Sequence, residues 1–318
     1  MSRYYDPTLK LREDILKSGG FVNCHSHIDR AYTVYENNLD KECEKFLTEK
    51  WKIVDNIKKS STEEDIYNRM KYAFLDQKEK GVSEICSFVD VDSVIRYKAI
   101  NAATRLREEL KGDIKIKLAC QTLKGVCDKA ERKIIENVIE HFDIIGSLPA
   151  ADVSIEKHLD VVMSWAKDTG KKLHIHVDQL NLPNENETSR VLSEIPKYKL
   201  EGRVSGIHGI SIASKKISDR VEIYSRARDR GMSFISCPSA WIDHRRSEDL
   251  QPWHNATTPV EEMLSFGISV GIGTDNICDI YKPFSNGDMM TELKFILESC
   301  HIYNTKALVA MATNKNII

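Results

Sequence analysis

The stretch Phe21-Val22-Asn23-Cys24-His25-Ser26-His27-Ile28-Asp29-Arg30 decides how the rest of the chain is read. It opens on a short apolar run, Phe21–His25, with the length and composition of a buried strand. It closes on two histidines separated by one residue. In an extended chain residues two apart share a face, so both imidazoles can reach one metal ion.

Outward from this stretch the chain repeats one rhythm. Short β-branched runs recur at Val82–Val89, Ile114–Cys120, Phe142–Leu148, Lys172–Val177, Val204–His208, Ser233–Cys237 and Ile268–Thr274. Between them lie stretches of helical periodicity, predicted at Thr62–Glu79, Ser93–Leu110, Lys129–His141, Ser154–Thr169, Thr188–Ile195, Ala213–Arg230, Pro259–Ser265 and Gly287–His301. Eight strands alternating with helices predict an α/β fold, a (β/α)8 TIM barrel. A doubly wound open sheet would alternate as well. The barrel is preferred because reactive residues end nearly every strand: His25 and His27, Asp90, Gln121, His176, His208 and Asp275. A barrel brings all these ends to one mouth, whereas an open sheet strings them along an edge.

The chain of 318 residues suits a single barrel domain over 1–318, with a long polar insertion at about 32–61. A second long loop, Leu250–Pro259, precedes the last barrel unit, and long loops at a barrel mouth often act as lids. A hydrophobic fraction of 41% and a charged fraction of 30% describe a globular chain rather than a disordered one. Lys plus Arg (46) nearly balances Asp plus Glu (48), so no basic excess points to nucleic acid. No apolar run approaches the roughly 20 residues of a membrane helix. The eight cysteines form no CxxC pair, and several sit in apolar runs, as buried thiols in a reducing cytoplasm would. A cytoplasmic enzyme with a small-molecule substrate, no nucleic acid and no membrane partner is the expectation.

Four groups carry the chemistry. They are His25-Ser26-His27-Ile28-Asp29 after strand one, His174-Ile175-His176-Val177-Asp178-Gln179 at strand five, His208 ending strand six, and Gly273-Thr274-Asp275-Asn276 ending strand eight. Together they resemble the motifs of the amidohydrolase superfamily, and most closely its cytosine-deaminase-like branch. The following Asp279-Ile280-Tyr281-Lys282-Pro283 is similar to that branch's D-x-[WY]-x-P stretch. The resemblance runs from about Gly20 to about Asn314.

What it implies is specific. His25, His27, His176 and Asp275 would hold one divalent metal ion, zinc or iron(II), with Asp275 also the general base. His208 would polarise or orient the substrate beside the attacked carbon. Gln121 would hydrogen-bond an amide-like ring edge, and Tyr281 would form an aromatic wall. The residue types agree: an ion held by imidazoles and a carboxylate activates a bound water for attack on a trigonal carbon. N/O ligation does not separate zinc from iron(II).

Two departures shape the expected activity. Deaminases of this branch carry a proton-shuttling Glu where this chain has Gln179. A glutamine donates a hydrogen bond to a carbonyl and does not titrate. The expected substrate therefore presents a carbonyl, as in an amide, imide, lactam or ureide. Deamination of a nucleobase- or triazine-like ring is the alternative, and a catalytically inactive binding barrel a more distant one. The small β-sandwich domain of full-length relatives is also expected to be absent. The barrel surface it would cover must then be polar or buried in a homo-oligomer.

Other residues have two readings each. Arg30 could hold an anionic substrate group or form a structural pair. His244, with Arg245 and Arg246, could reach the pocket or lie on a solvated loop. Trp253 and His254 could line the mouth. His174 reads as structural, and Asp178 as pointing away from the His176 face. His141, His158 and His301 read as surface or core.

Overall fold

A computed structural model describes residues 4–35, 39, 43, 45, 47–242 and 256–318. Eight parallel strands close into a barrel in sequence order: β1 (Phe21–Ser26), β2 (Val82–Asp90), β3 (Lys115–Gln121), β4 (Ile144–Ser147), β5 (Lys172–Val177), β6 (Val204–His208), β7 (Ser233–Ser236) and β8 (Val270–Ile272). All eight expected strands are present. They were visible as apolar runs because strands of a parallel barrel are covered on both faces. β1, for instance, is buried at every position.

The helices are α1 (Pro7–Lys17), α2 (Leu47–Ser60), α3 (Glu63–Glu79), α4 (Lys98–Glu109), α5 (Lys129–Glu136), α6 (Ile155–Thr169), α7 (Glu187–Tyr198), α8 (Ile217–Asp229), α9 (Val260–Ser265), α10 (Met289–Ser299) and α11 (Thr305–Ala312). Their starts follow local chemistry. Thr62 and Asp65 form a reciprocal capping box on α3, and Ser154 caps α6. The helix expected from Ser93 begins only at Lys98, because the Asp92 carboxylate accepts from Val94 N and Ile95 N and turns the chain first. α1 and α11 were not foreseen. The polar insertion, read as having room for a short helix, contains the 14-residue α2.

The barrel interior is packed by Val22, Cys24, Cys86, Phe88, Ala119, Ile144, Ile207 and Ile235, with Ile317 among them. His174 Nε2 lies 3.0 Å from the Ile317 carbonyl. β8 approaches β1 so closely at Gly273 that a Cβ there would sit 2.7 Å from the His25 carbonyl oxygen. That approach brings the residues after β8 alongside the His25 motif. No described helix is long and apolar enough to cross a membrane.

Candidate metal centre and substrate cavity

The ladder between β1 and β8 extends one step past the strands. His27 N donates to Asp275 O and Asp275 N to His25 O, both at 3.0 Å. The backbone thus fixes Asp275 beside the two histidines. Its Oδ1 lies 3.2 Å from His25 Nε2 and 3.2 Å from His27 Nε2. From β5, His176 brings its ring centroid to 4.9 Å from that of His25. The ligand atoms of His25, His27 and His176 lie within 4.8 Å of one another, as do those of His25, His208 and Asp275. Phe88 supports the group from below, its ring 4.6 Å from His25 and 5.3 Å from His176.

The donor set suits a divalent cation. His25 is fully buried; apart from the Asp275 carboxylate facing its Nε2, neither of its ring nitrogens has a hydrogen-bond partner among the described residues, and His27 Nδ1 has none there either. Buried polar atoms without partners are costly, about 1–3 kcal/mol each. An ion bound among these nitrogens and the Asp275 carboxylate would satisfy them. His176 Nδ1 donates to the Ser147 carbonyl at 2.9 Å, leaving Nε2 free to ligate.

Burial keeps the imidazoles of His27, His176 and His208 neutral. It pushes His27 and His208 down to about 3 and His176 well below the ordinary histidine value. Arg30 adds to the shift of His27, and His25 to that of His176. For Asp275 burial acts upward, but Lys282, His25 and His27 outweigh it and hold the carboxyl well below its usual range. Neutral imidazoles beside an ionised carboxylate are the protonation states that metal ligands require.

A cavity opens above this centre. Its lining includes the sequence-derived candidates Arg30, Gln121, Gln179, His208 and Tyr281. The buried Tyr281 hydroxyl has no hydrogen-bond partner among the described residues. The Arg30 guanidinium lies 5.1 Å from the Tyr281 ring centroid and 3.8 Å from Asp90 Oδ2. Thr258 Oγ1 donates to the His208 carbonyl at 2.6 Å, holding that residue at φ 71°. Asp178 turns away at φ 47°, and its carboxylate accepts from Glu187 N and Thr188 N at the start of α7. His174 lies in the barrel interior against Ile317 and lines no part of this cavity. His244, Arg245, Arg246, Trp253 and His254 fall outside the described residues.

Asn276 of the fourth motif also lines the cavity, as do Trp51, Leu123 and Leu148, which were not anticipated. Trp51 comes from α2. Its helix packs across the mouth through Val54, against Leu123, Leu148, Ile280 and Tyr281. Lys58, also on α2, pins the helix by pairing with Asp90, the last residue of β2, at 2.9 Å and with Asp92 just beyond it at 2.6 Å.

Comparison with known proteins agrees with this geometry. No family model matches the sequence. An uncharacterized protein of Haemophilus influenzae is 40% identical over 259 residues, which are 80% of this chain and 94% of that one. The chain belongs to one family with that protein. The N-isopropylammelide isopropyl amidohydrolase of Pseudomonas sp. strain ADP is 28% identical over 285 residues, 86% of this chain and 66% of that enzyme. Among solved structures, 5-methylcytosine deaminase from Klebsiella pneumoniae, bound to 5-fluorocytosine, superposes with a TM-score of 0.84 at 23% identity. The match covers 94% of this chain and 73% of that one. Atrazine chlorohydrolase from Arthrobacter aurescens, complexed with zinc, gives 0.61 at 16% identity, over 93% and 69%. The barrel fold is the one these solved structures share.

Proposed function

We propose that this protein is a metal-dependent hydrolase of a C–N bond in a small polar molecule of amide, imide, lactam or ureide type. The observation that carries it is the convergence of His25, His27, His176 and Asp275, with unpaired buried nitrogens, at the base of a lined cavity. These four would hold one divalent ion, which when bound supplies an activated water. Zinc is the first ion to test, since a solved neighbour carries it, and iron(II) is the second.

The remaining steps fall to the chain's own groups. Asp275, kept ionised beside Lys282, accepts the proton of the attacking water and returns it to the departing nitrogen. His208 steadies the oxygen of the carbonyl under attack by hydrogen bonding. Gln179 and Gln121 present amide donors to carbonyl oxygens of the substrate. Arg30 and the Tyr281 hydroxyl offer two more donors, and Trp51 with Tyr281 walls a flat molecule. His244 is retained as a candidate contact on the loop after β7. The activity is assigned to a single barrel domain in the cytoplasm, where five buried free thiols would remain reduced.

A second reading, removal of an amino group from a nucleobase- or triazine-like ring, is favoured by the names of the Pseudomonas relative and the Klebsiella neighbour. One assay separates the two. The metal-loaded protein is given cyclic amides and imides alongside cytosine and alkylaminotriazines, and products are identified by mass with free ammonia or amine quantified. Ring opening without amine release supports the first reading. Rapid cytosine deamination overturns the role given to Gln179. No turnover of any member by the metal-loaded protein counts against both.

A further inference from the structure

Behind the metal centre lies a Ser–His–Asp chain with no access to the cavity. Ser147, the last residue of β4, places its Oγ 2.8 Å from His158 Nε2. His158 stands in the first turn of α6, and its Nδ1 lies 2.7 Å from Asp152 Oδ2. Ser147 and His158 are both fully buried. The carboxylate sets the direction of the chain. An ionised Asp152 accepts only, so His158 Nδ1 carries a proton, and in the neutral ring Nε2 then accepts from the Ser147 hydroxyl. None of the three lines the cavity, so Ser147 cannot serve as a nucleophile toward a substrate there.

The carbonyl of the same Ser147 is the group that accepts from His176 Nδ1. Asp152 is itself fixed from the next loop, accepting from Val126 N at 2.7 Å and Cys127 N at 3.1 Å. That loop comes close because Gly125 has no side chain: a Cβ there would sit 2.6 Å from Asp152 Cγ. It also follows Gln121 and Leu123, both cavity residues. In the same loop, Thr122 Oγ1 accepts from Leu148 N at 2.8 Å. The strand end that orients His176 is thus held from outside the barrel by a helix and from the side by the substrate loop.

We propose that Asp152, His158 and Ser147 form a positioning relay that fixes the Ser147 carbonyl and, through it, the orientation of His176 as a metal ligand. The inference rests on the metal-dependent reading above. Partners of this kind set the tautomer and aim of a ligating histidine, and losing one typically costs about 10–100-fold in metal affinity.

The test is zinc affinity of the full chain, measured by chelator competition, beside thermal unfolding of the metal-free protein. His158→Gln removes the link to Asp152. Ser147→Ala is milder, since it keeps the backbone carbonyl and removes only the hydroxyl. His174→Gln is the control, an equally buried histidine on the same strand whose partner is Ile317. The expected result is a zinc Kd raised about 10–100-fold in His158→Gln and less in Ser147→Ala, with His174→Gln within about twofold of wild type. Variants of His158 and Ser147 that bind zinc as tightly as wild type overturn the relay, whatever their melting temperature. So does a His174→Gln protein weakened as much as His158→Gln. A wild type that binds no divalent metal overturns the proposed function, and the relay with it.

Discussion

Lys282 Nζ lies 3.6 Å from Asp275 Oδ2, and both side chains are buried. The same ammonium donates to Ser239 Oγ at 3.1 Å. Asp275 therefore has a fixed cation on one oxygen and two imidazoles facing the other. Removing one member of a buried ion pair leaves the other uncompensated, at a cost of about 3–5 kcal/mol. Lys282→Met is expected to lower the stability of the metal-free protein by that order. Zinc should recover part of the loss, because it gives the carboxylate a new cation. Urea unfolding with and without zinc checks both halves; an unchanged midpoint would mean the pair contributes little.

Trp51 tests the role of α2. The residue touches the cavity from a helix held at the mouth by Lys58, by the Asp55–Lys124 ion pair and by apolar contacts. Trp51→Ala is expected to raise KM at least about tenfold while leaving metal content at the wild-type value, since lost contact area weakens substrate and transition state alike. A variant with normal KM would place the substrate away from this wall.

His174 gives a pH dependence of known sign. Burial pushes it down to about 3, with the Ile317 carbonyl bond opposing in part. The unfolded chain binds the proton at about pH 6.5. Between these values the unfolded state holds more protons, so stability falls as pH falls, by up to about 1.4 kcal/mol per pH unit for this one group. Glutamine does not titrate. The stability difference between wild type and His174→Gln, measured metal-free, is therefore expected to move against wild type as pH drops from about 6.5. A difference independent of pH would mean that His174 is charged in the folded protein.

The barrel and the convergence of His25, His27, His176 and Asp275 at its mouth were legible because both follow from local properties of strands. An apolar run ended by His25-Ser26-His27 declares a strand and a pair of side chains on one face. Asp275 was legible for the same reason, at the end of β8. Trp51 was not, because nothing in the polar sequence around α2 says where that helix docks. Its position comes in part from Lys58 meeting Asp90 and Asp92 at the end of β2. His158 was read as an ordinary helical histidine. Its partners stand on a strand end and in a loop, and only closure of the barrel brings them together. The Ser154 cap, which places His158 in the first turn of α6, was the one available signal.

The central claim is that His25, His27, His176 and Asp275 hold one divalent ion. Elemental analysis of the purified wild type and of His176→Ala, prepared side by side in zinc-supplemented medium and dialysed alike, tests it most directly. The account expects about one metal per wild-type chain and little in the variant, since a three-imidazole site loses a ligand that the fold does not replace. Equal metal in the two proteins, or none in the wild type, would contradict it.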